Sequence, residues 1–169
     1  MTVGEETSGG QNATEGELSL FIGEKSWYYL PRFKKFSVDG VNKFVFSWNW
    51  AGLIAGPFWA LYRKMYLYGV VGFLILFMPH ISLLPYLMAA VAGNYLYWLH
   101  AKSRIAEIRK ESSNTDVFHG SLKQEGGVNR WMIVLSWILF IIFIAMMVGG
   151  SLLFREILER FYGSGTISI

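Results

Sequence analysis

Two long stretches without a charged side chain constrain this sequence more than any other feature. No Asp, Glu, Lys or Arg occurs between Lys64 and Lys102, or between Arg130 and Arg155. Charged residues make up 16% of the chain, whereas an average soluble domain has about a quarter. Because a transmembrane helix needs about 20 predominantly apolar residues, the two stretches predict an all-α integral membrane protein.

The first stretch is too long for one membrane span. A single helix from Met65 to Ala101 would measure about 55 Å, while the hydrocarbon core of a bilayer is about 30 Å thick. The run MPHISLLP at 78–85 contains two prolines, which predicts a turn at the far membrane face between two spans. A third span is predicted from Trp131 to Phe154, with an amphipathic extension to residue 162. The sequence therefore predicts about three transmembrane helices.

The run SWNWAGLIAGPFWALYRKMY at 47–66 precedes the first predicted span. Ser47 is suited to cap a helix over 48–55, which is too short to cross a membrane and is predicted to be interfacial. Proline ends one helix and is favoured at the first position of the next. Gly56-Pro57 therefore predicts a break, followed by a long helix to about residue 78. Its second turn would hold Arg63 and Lys64, with their side chains reaching the lipid headgroups.

The region before residue 47 is polar at its start and aromatic later. Residues 1–17 are rich in Gly, Ser, Thr, Glu and Asn, which predicts a disordered tail and does not fit a signal peptide. In the arm at 18–46, aromatic and basic residues interleave, as in an anchor at the membrane interface. Nucleic-acid binding also uses such residues, but the sequence has no wider basic surface. Asp39-Gly40 between apolar runs predicts a short β-hairpin within 33–46.

Charge asymmetry predicts the orientation of the spans. An interfacial helix and a transmembrane hairpin would occupy 47–111, followed by a loop at 112–130, a third helix at 131–162 and a tail at 163–169. With three spans, the basic arm and the loop lie on one side, which the positive-inside rule makes cytoplasmic. The N terminus is then cytoplasmic and the C terminus outside. A fourth span at 44–62 would place the basic arm outside, against the rule. The sequence leaves open whether that segment spans, dips into or lies on the membrane.

Few residues indicate chemistry. The chain has no cysteine, which excludes disulfides and thiolate sites. His80, His100 and His119 are far apart in sequence and lack a nearby carboxylate cluster, so neither a metal site nor a cofactor is predicted. No HExxH, GxSxG or P-loop pattern occurs.

The polar residues Asn49 and Asn94 lie in apolar surroundings and allow two interpretations. Polar groups inside a membrane are costly and often form ligand sites. They also form hydrogen bonds between helices, worth about 0.6 kcal/mol on average. Small residues lie four apart at Gly52/Gly56, Ala89/Gly93 and Ala145/Gly149, a spacing that lets helices approach closely, within one chain or with a partner.

The run SWNWAGLIAGPFWALYRKMYLYG resembles the signature of a family of small bacterial inner-membrane proteins of unknown function. GNYLYWLHAKSRI is similar to that family's second marker, and FIGEKSWYYLPRFKKF to its amino-terminal part. The resemblance covers roughly residues 21–108 and implies a multi-pass protein of the inner membrane, without supplying a reaction. The candidate motif and packing residues are Asn49, Trp50, Gly56, Pro57, Trp59, Tyr62, Arg63, Lys64, Tyr66, Asn94, Tyr97 and His100.

Three functions are compatible with these features. The first is an accessory, scaffold or lipid-organising subunit that binds the bilayer and other membrane proteins or a second copy of itself, and no nucleic acid. The second is a small oligomeric transporter or channel, with Asn94 as the residue to examine. The third is an interfacial membrane enzyme, for which His100 and Arg63 are the first candidates, although no catalytic motif supports it.

Overall fold

The computed structural model describes residues 13–38 and 41–163. The chain divides into two units, Met1–Arg130 and Trp131–Ile169. The described elements are α1 (Glu15–Ile22), α2 (Ser26–Phe33), β1 (Ser37–Val38), β2 (Val41–Asn42), α3 (Trp50–Ala55), α4 (Pro57–Tyr62), α5 (Tyr66–Ile75), α6 (Leu84–Glu111), α7 (Thr115–Glu125) and α8 (Trp131–Gly163). The predicted all-α class is confirmed, apart from one short hairpin.

The first helix begins with a capping box. The Thr14 hydroxyl accepts from the Glu17 backbone N–H, and the Glu17 carboxylate accepts from the Thr14 N–H at 2.6 Å. Glu17 also receives two bonds from Arg109 on α6, at 2.7 and 2.6 Å. The predicted disordered tail is therefore wrong for residues 13–17, because these bonds satisfy backbone N–H groups at the start of α1. Residues 1–12 lie outside the described residues.

The core of the first unit forms where α1, α2 and α7 pack on the C-terminal half of α6. Its buried side chains include Leu18, Phe21, Ile22, Tyr29, Phe33, Phe36, Tyr97, Trp98, Ala101, Ile105, Ile108, Phe118 and Leu122. The Tyr29 ring, for example, meets the Tyr97 ring edge-on at 4.9 Å. Four of the eight aromatic residues in the 18–46 arm, Phe21, Tyr29, Phe33 and Phe36, are thus core residues, which corrects their prediction as part of a lipid anchor. Trp27, Phe44 and Phe46 are exposed.

The predicted β-hairpin is present and very short. Ser37 pairs with Asn42 and Val38 with Val41 in antiparallel register, while Asp39 and Gly40 fall outside the described residues. The Lys102 ammonium donates to the Asn42 side-chain oxygen at 3.1 Å. This bond ties the hairpin to α6.

The helix boundaries in 47–78 differ from the prediction. Asn49 caps α3 in place of Ser47, because its side-chain oxygen accepts from the Gly52 N–H at 3.0 Å. The break at Gly56-Pro57 is present, with Gly56 at φ +51°, a conformation that favours glycine. The predicted long helix over 57–78 is wrong. Helix α4 ends at Tyr62. The chain reverses at Lys64, whose φ is +61°, and α5 then begins at Tyr66.

These reversals fold three short helices against the N-terminal half of α6. A Cβ added at Gly52 would overlap the Ala89 carbonyl, and one at Gly56 would lie 2.7 Å from the Tyr86 ring, so α3 runs antiparallel to α6. Gly72 lies in the second half of α5, and Pro57 begins α4. A Cβ added at Gly72 would lie 3.2 Å from Pro57. Helices α4 and α5 are therefore also antiparallel.

The region 112–130 is more than the predicted loop. It contains α7, capped by the Asn114 side chain, which accepts from the Val117 N–H at 2.9 Å. Beyond α7, Gly126 lies so close to α1 that an added Cβ would overlap the Phe21 carbonyl oxygen. The Gly127 N–H donates to that same oxygen at 2.6 Å. Phe118 and Leu122 then bury the inner face of α7.

The second unit is the single helix α8, of 33 residues. Among the residues that the structure describes, α8 is the one helix both long and apolar enough to cross a membrane. Its last turns carry two ion pairs at helical spacing, Arg155–Glu159 at 2.9 Å and Glu156–Arg160 at 2.7 Å. Of the tail predicted at 163–169, Gly163 belongs to α8, and residues 164–169 lie outside the described residues.

The bonds of Glu17 predict a pH-dependent stability. Burial raises the pKa of Glu17, but its bonds to Arg109 and Thr14 outweigh burial and hold the pKa below its usual value. A carboxyl with a lowered folded-state pKa stabilises the fold above its unfolded pKa of about 4.3, and this stability is lost as the pH falls. Glu17→Gln should cost about 1–2 kcal/mol at neutral pH, since Arg109 is partly exposed.

Denaturant unfolding in detergent between neutral and acidic pH checks this. The difference between wild type and Glu17→Gln should shrink as the pH falls through the carboxyl range. Glu15→Gln is the matched control, because Glu15 pairs with Lys34 only in an exposed contact. An equal loss in both variants, or a loss independent of pH, would contradict the assignment.

Candidate functional site

Ser47, Asn49 and Asn94 form a polar clasp between α6 and the chain that enters α3. The Asn94 side-chain nitrogen donates to the Ser47 carbonyl at 3.2 Å, to the Ser47 hydroxyl at 3.0 Å and to the Trp48 carbonyl at 3.3 Å. The Asn49 backbone N–H donates to the Ala90 carbonyl at 2.8 Å. Both asparagines are fully buried. The clasp thus fixes where α3 lies along α6.

The clasp leaves some of its hydrogen-bonding capacity unused. The Asn49 side-chain nitrogen, the Asn94 side-chain oxygen and the Trp48 indole nitrogen are buried without a hydrogen-bond partner. A buried polar group without a partner costs about 1–3 kcal/mol. The clasp therefore has a stability cost.

Arg63 lies next to the clasp inside an aromatic cage formed by Tyr29, Tyr62 and Tyr97. Its guanidinium carbon is 4.5 Å from the Tyr29 ring centre, 5.2 Å from Tyr97 and 5.8 Å from Tyr62. Only 5% of Arg63 is exposed. Its Nε and Nη1 are buried without a hydrogen-bond partner, and it forms no ion pair within the described part of the chain.

The cage holds an uncompensated positive charge. Burial raises the pKa of Tyr29, and the opposing effect of the Arg63 charge is smaller. This phenol therefore stays neutral at physiological pH. Aromatic ring faces attract a guanidinium by about 2 kcal/mol or more when it is desolvated. Those contacts and the hydrocarbon stem are what hold Arg63 in place.

The predicted pairing of Arg63 and Lys64 as two side chains that reach the headgroups is wrong for Arg63. The chain turns between α4 and α5, so the two side chains diverge. Lys64 donates to the Gln124 carbonyl at 2.7 Å, whereas Arg63 points into the cage. Arg63 therefore acts inside the fold.

The other candidate residues divide between this centre and its surroundings. Trp59 is buried, with its ring 6.3 Å from that of Tyr97, and an added Cβ at Gly93 would lie 3.2 Å from the same indole. Trp50 is exposed. Tyr66 is bonded through its hydroxyl to the Asn129 side chain at 3.2 Å. His100 lies apart from the cage, 6.3 Å from the Phe21 ring.

Sequence reasoning missed Tyr29, the closest wall of the cage. Tyr29 lies on α2, far from Arg63 in sequence, and no spacing rule connects them. The signal available was its place in an aromatic run, which also fits a membrane anchor. Among the described residues, no group of three or more His, Asp or Glu side chains lies close enough to hold a metal ion.

The cage yields a prediction about stability. Burying a charge costs several kcal/mol, and two unpartnered N–H groups add to that cost. Arg63→Met, which keeps the stem and removes the charge, should leave the unfolding temperature in detergent unchanged or raise it. Arg63→Lys should lower stability by about 1–2 kcal/mol, because an ammonium is more strongly hydrated and does not stack on rings.

Lys64→Met is the control for this experiment, because it removes the neighbouring charge and leaves the cage intact. It should shift the unfolding temperature little. A large destabilisation by Arg63→Met would show that the ring contacts outweigh the cost of burying the charge.

Comparison of the chain with protein-family models, curated proteins and solved structures found no match.

Proposed function

We propose that this chain is an accessory protein of a bacterial inner membrane, held there by α8, which organises lipid or binds another membrane protein. The observation that carries the proposal is the surface of α8. No part of its most apolar segment is buried. Large apolar side chains such as Trp137, Ile141 and Met146 are exposed on all sides. A helix that is apolar all round belongs in apolar surroundings.

The length of α8 supports this assignment. From Trp131 to Phe154 the helix carries no charged residue and would rise about 36 Å, enough for a hydrocarbon core of about 30 Å. The charged turns that follow, from Arg155, suit the interface beyond it. The resemblance of residues 21–108 to small inner-membrane proteins is consistent with the same location.

The arrangement of three spans with a cytoplasmic N terminus stays a prediction. Helix α5 has 10 residues, about 15 Å, so a complete crossing by the α5–α6 hairpin would need a locally thinned bilayer. Orientation does not depend on this point. Either one span or three places the two termini on opposite sides.

A topology reporter checks the orientation. A fusion after Ile169 should be active only as a periplasmic reporter, and one inserted after Ser113 only as a cytoplasmic reporter, because basic residues favour the cytoplasmic side. Cytoplasmic activity at both positions would contradict a span at α8.

Small residues on α8 support a partner helix. Ala145 and Gly149 lie four apart on one face, and an added Cβ at Gly149 would meet nothing within 4 Å. In membranes, small residues at this spacing let a second helix approach closely. The partner is another membrane protein or a second copy of this chain.

Cross-linking in native membranes, followed by purification in mild detergent, checks for this partner. Gly149→Leu should reduce the cross-linked species about tenfold, equivalent to about 1.4 kcal/mol. Gly150→Leu is the matched control, since it adds the same side chain about 100° around the helix. A lone monomer that retains neither protein nor lipid would overturn the proposal, and equal losses in both variants would overturn the assigned face.

A further inference from the structure

We infer that the first unit is itself seated in the membrane, inserted into one leaflet to about half the bilayer depth. The inserted part is an apolar tip formed by α3, α5, residues 76–83 and the start of α6 (84–90). This inference rests on the membrane location proposed from α8 and names a second membrane contact. Its occupant is the acyl-chain region of a single leaflet.

The tip combines exposed apolar surface with an absence of charge. Its exposed side chains include Ile54, Leu67, Leu74, Phe77, Leu83 and Leu87. No acidic residue occurs between Val41 and Ala106, and no Lys or Arg between Lys64 and Lys102; His80 lies at the end of the tip. Monomeric soluble proteins rarely expose contiguous apolar patches above a few hundred Å². A water-facing tip of this composition would be strongly unfavourable.

The dimensions of the tip match one leaflet. Helix α5 rises about 15 Å, and α6 rises about the same from Leu84 to Asn94. The hydrocarbon core is about 30 Å thick. Lys64 directly precedes α5, and Lys102 lies about 12 Å beyond Asn94 along α6. The tip therefore reaches about the bilayer midplane when Lys64 lies at the headgroups.

Aromatic residues border the tip where a membrane interface would lie. On one side, the Phe44 ring meets Tyr95 at 5.3 Å, and Trp48 meets Trp50 at 5.4 Å. On the other side, Tyr66 at the start of α5 is exposed. Tyrosine and tryptophan are enriched at membrane interfaces because their rings are apolar and carry one polar group. Lys43 is exposed next to Phe44, where anionic headgroups would attract it.

The turn at the end of the tip is suited to a medium without water. Buried backbone groups in lipid need internal partners. Short-range bonds satisfy several of them here: Leu76 to Phe73, Met78 to Ile75 and Ile81 to Met78, each at 3.0–3.2 Å. Pro79 and Pro85 have no N–H to satisfy. The backbone is thus largely self-contained where it would lie deepest.

Cysteine accessibility in the full chain distinguishes this insertion from a complete crossing. The chain has no cysteine, so Ser82→Cys and His80→Cys each place one thiol at the end of the tip. Ser113→Cys, in the exposed link between α6 and α7, is the matched control. Each variant is treated with a membrane-impermeant maleimide in spheroplasts and in inverted membrane vesicles, with and without detergent.

We expect Ser113→Cys to react in inverted vesicles, and both tip cysteines to remain at background on both sides until detergent is added. Reaction of the tip from the periplasmic side would show a full crossing, and reaction from the cytoplasmic side would show that the tip lies outside lipid. Either result overturns the inference while leaving α8 in place. Release of the whole chain by alkaline carbonate would instead overturn the proposed membrane function.

A depth measurement provides a second readout. A fluorophore on His80→Cys in vesicles of phosphatidylethanolamine and phosphatidylglycerol should be quenched most by lipids that carry a nitroxide near the acyl methyl end. A fluorophore on Ser113→Cys should respond little to such lipids. Stronger quenching at position 80 by headgroup nitroxides would place the tip on the membrane surface and overturn the inference.

Discussion

The hydrogen bonds from the Asn94 side chain to the backbone of Ser47 and Trp48 set the position of α3 along α6. The placement of α4 and α5 depends in turn on that of α3. The bonds fix the entry to α3, and Gly52 then allows α3 to approach the Ala89 backbone closely. The reversals at Gly56 and Lys64 then place each next short helix beside α6 or beside its predecessor. A polar residue in apolar surroundings thus sets the register of several apolar helices.

Helix α6 connects two environments within one unit. Its C-terminal half packs against α1, α2 and α7, with charged residues around this core, while its N-terminal half carries the uncharged tip. The Arg63 cage lies where these two environments meet. There Tyr29 of α2 and Tyr97 of α6 surround the guanidinium of Arg63, which follows α4. Joining the halves in this way costs stability through burial of charge.

The sequence could predict the helix class, the break at Gly56-Pro57, the hairpin and the long apolar helix α8. Each depends on a local signal: a proline that interrupts a helix, a pair of turn residues, or a long uncharged run. The interruption at Lys64 could not be predicted, since lysine is a good helix former and its φ of +61° accompanies the tertiary packing of α5 against α4. The roles of Asn49 and Asn94 were left between two interpretations, because hydrogen-bond partners depend on tertiary contacts. The cage was missed for the same reason.

The contact between Glu17 and Arg109 joins residues 92 apart in sequence, and this separation has a consequence for biosynthesis. Helices α1 and α2 leave the ribosome long before the half of α6 that covers Phe21, Tyr29 and Phe33. During that interval these aromatic side chains lack their partners on α6, and exposed apolar surface on nascent segments promotes aggregation. The N-terminal helices therefore complete their packing only after α6 has been synthesised.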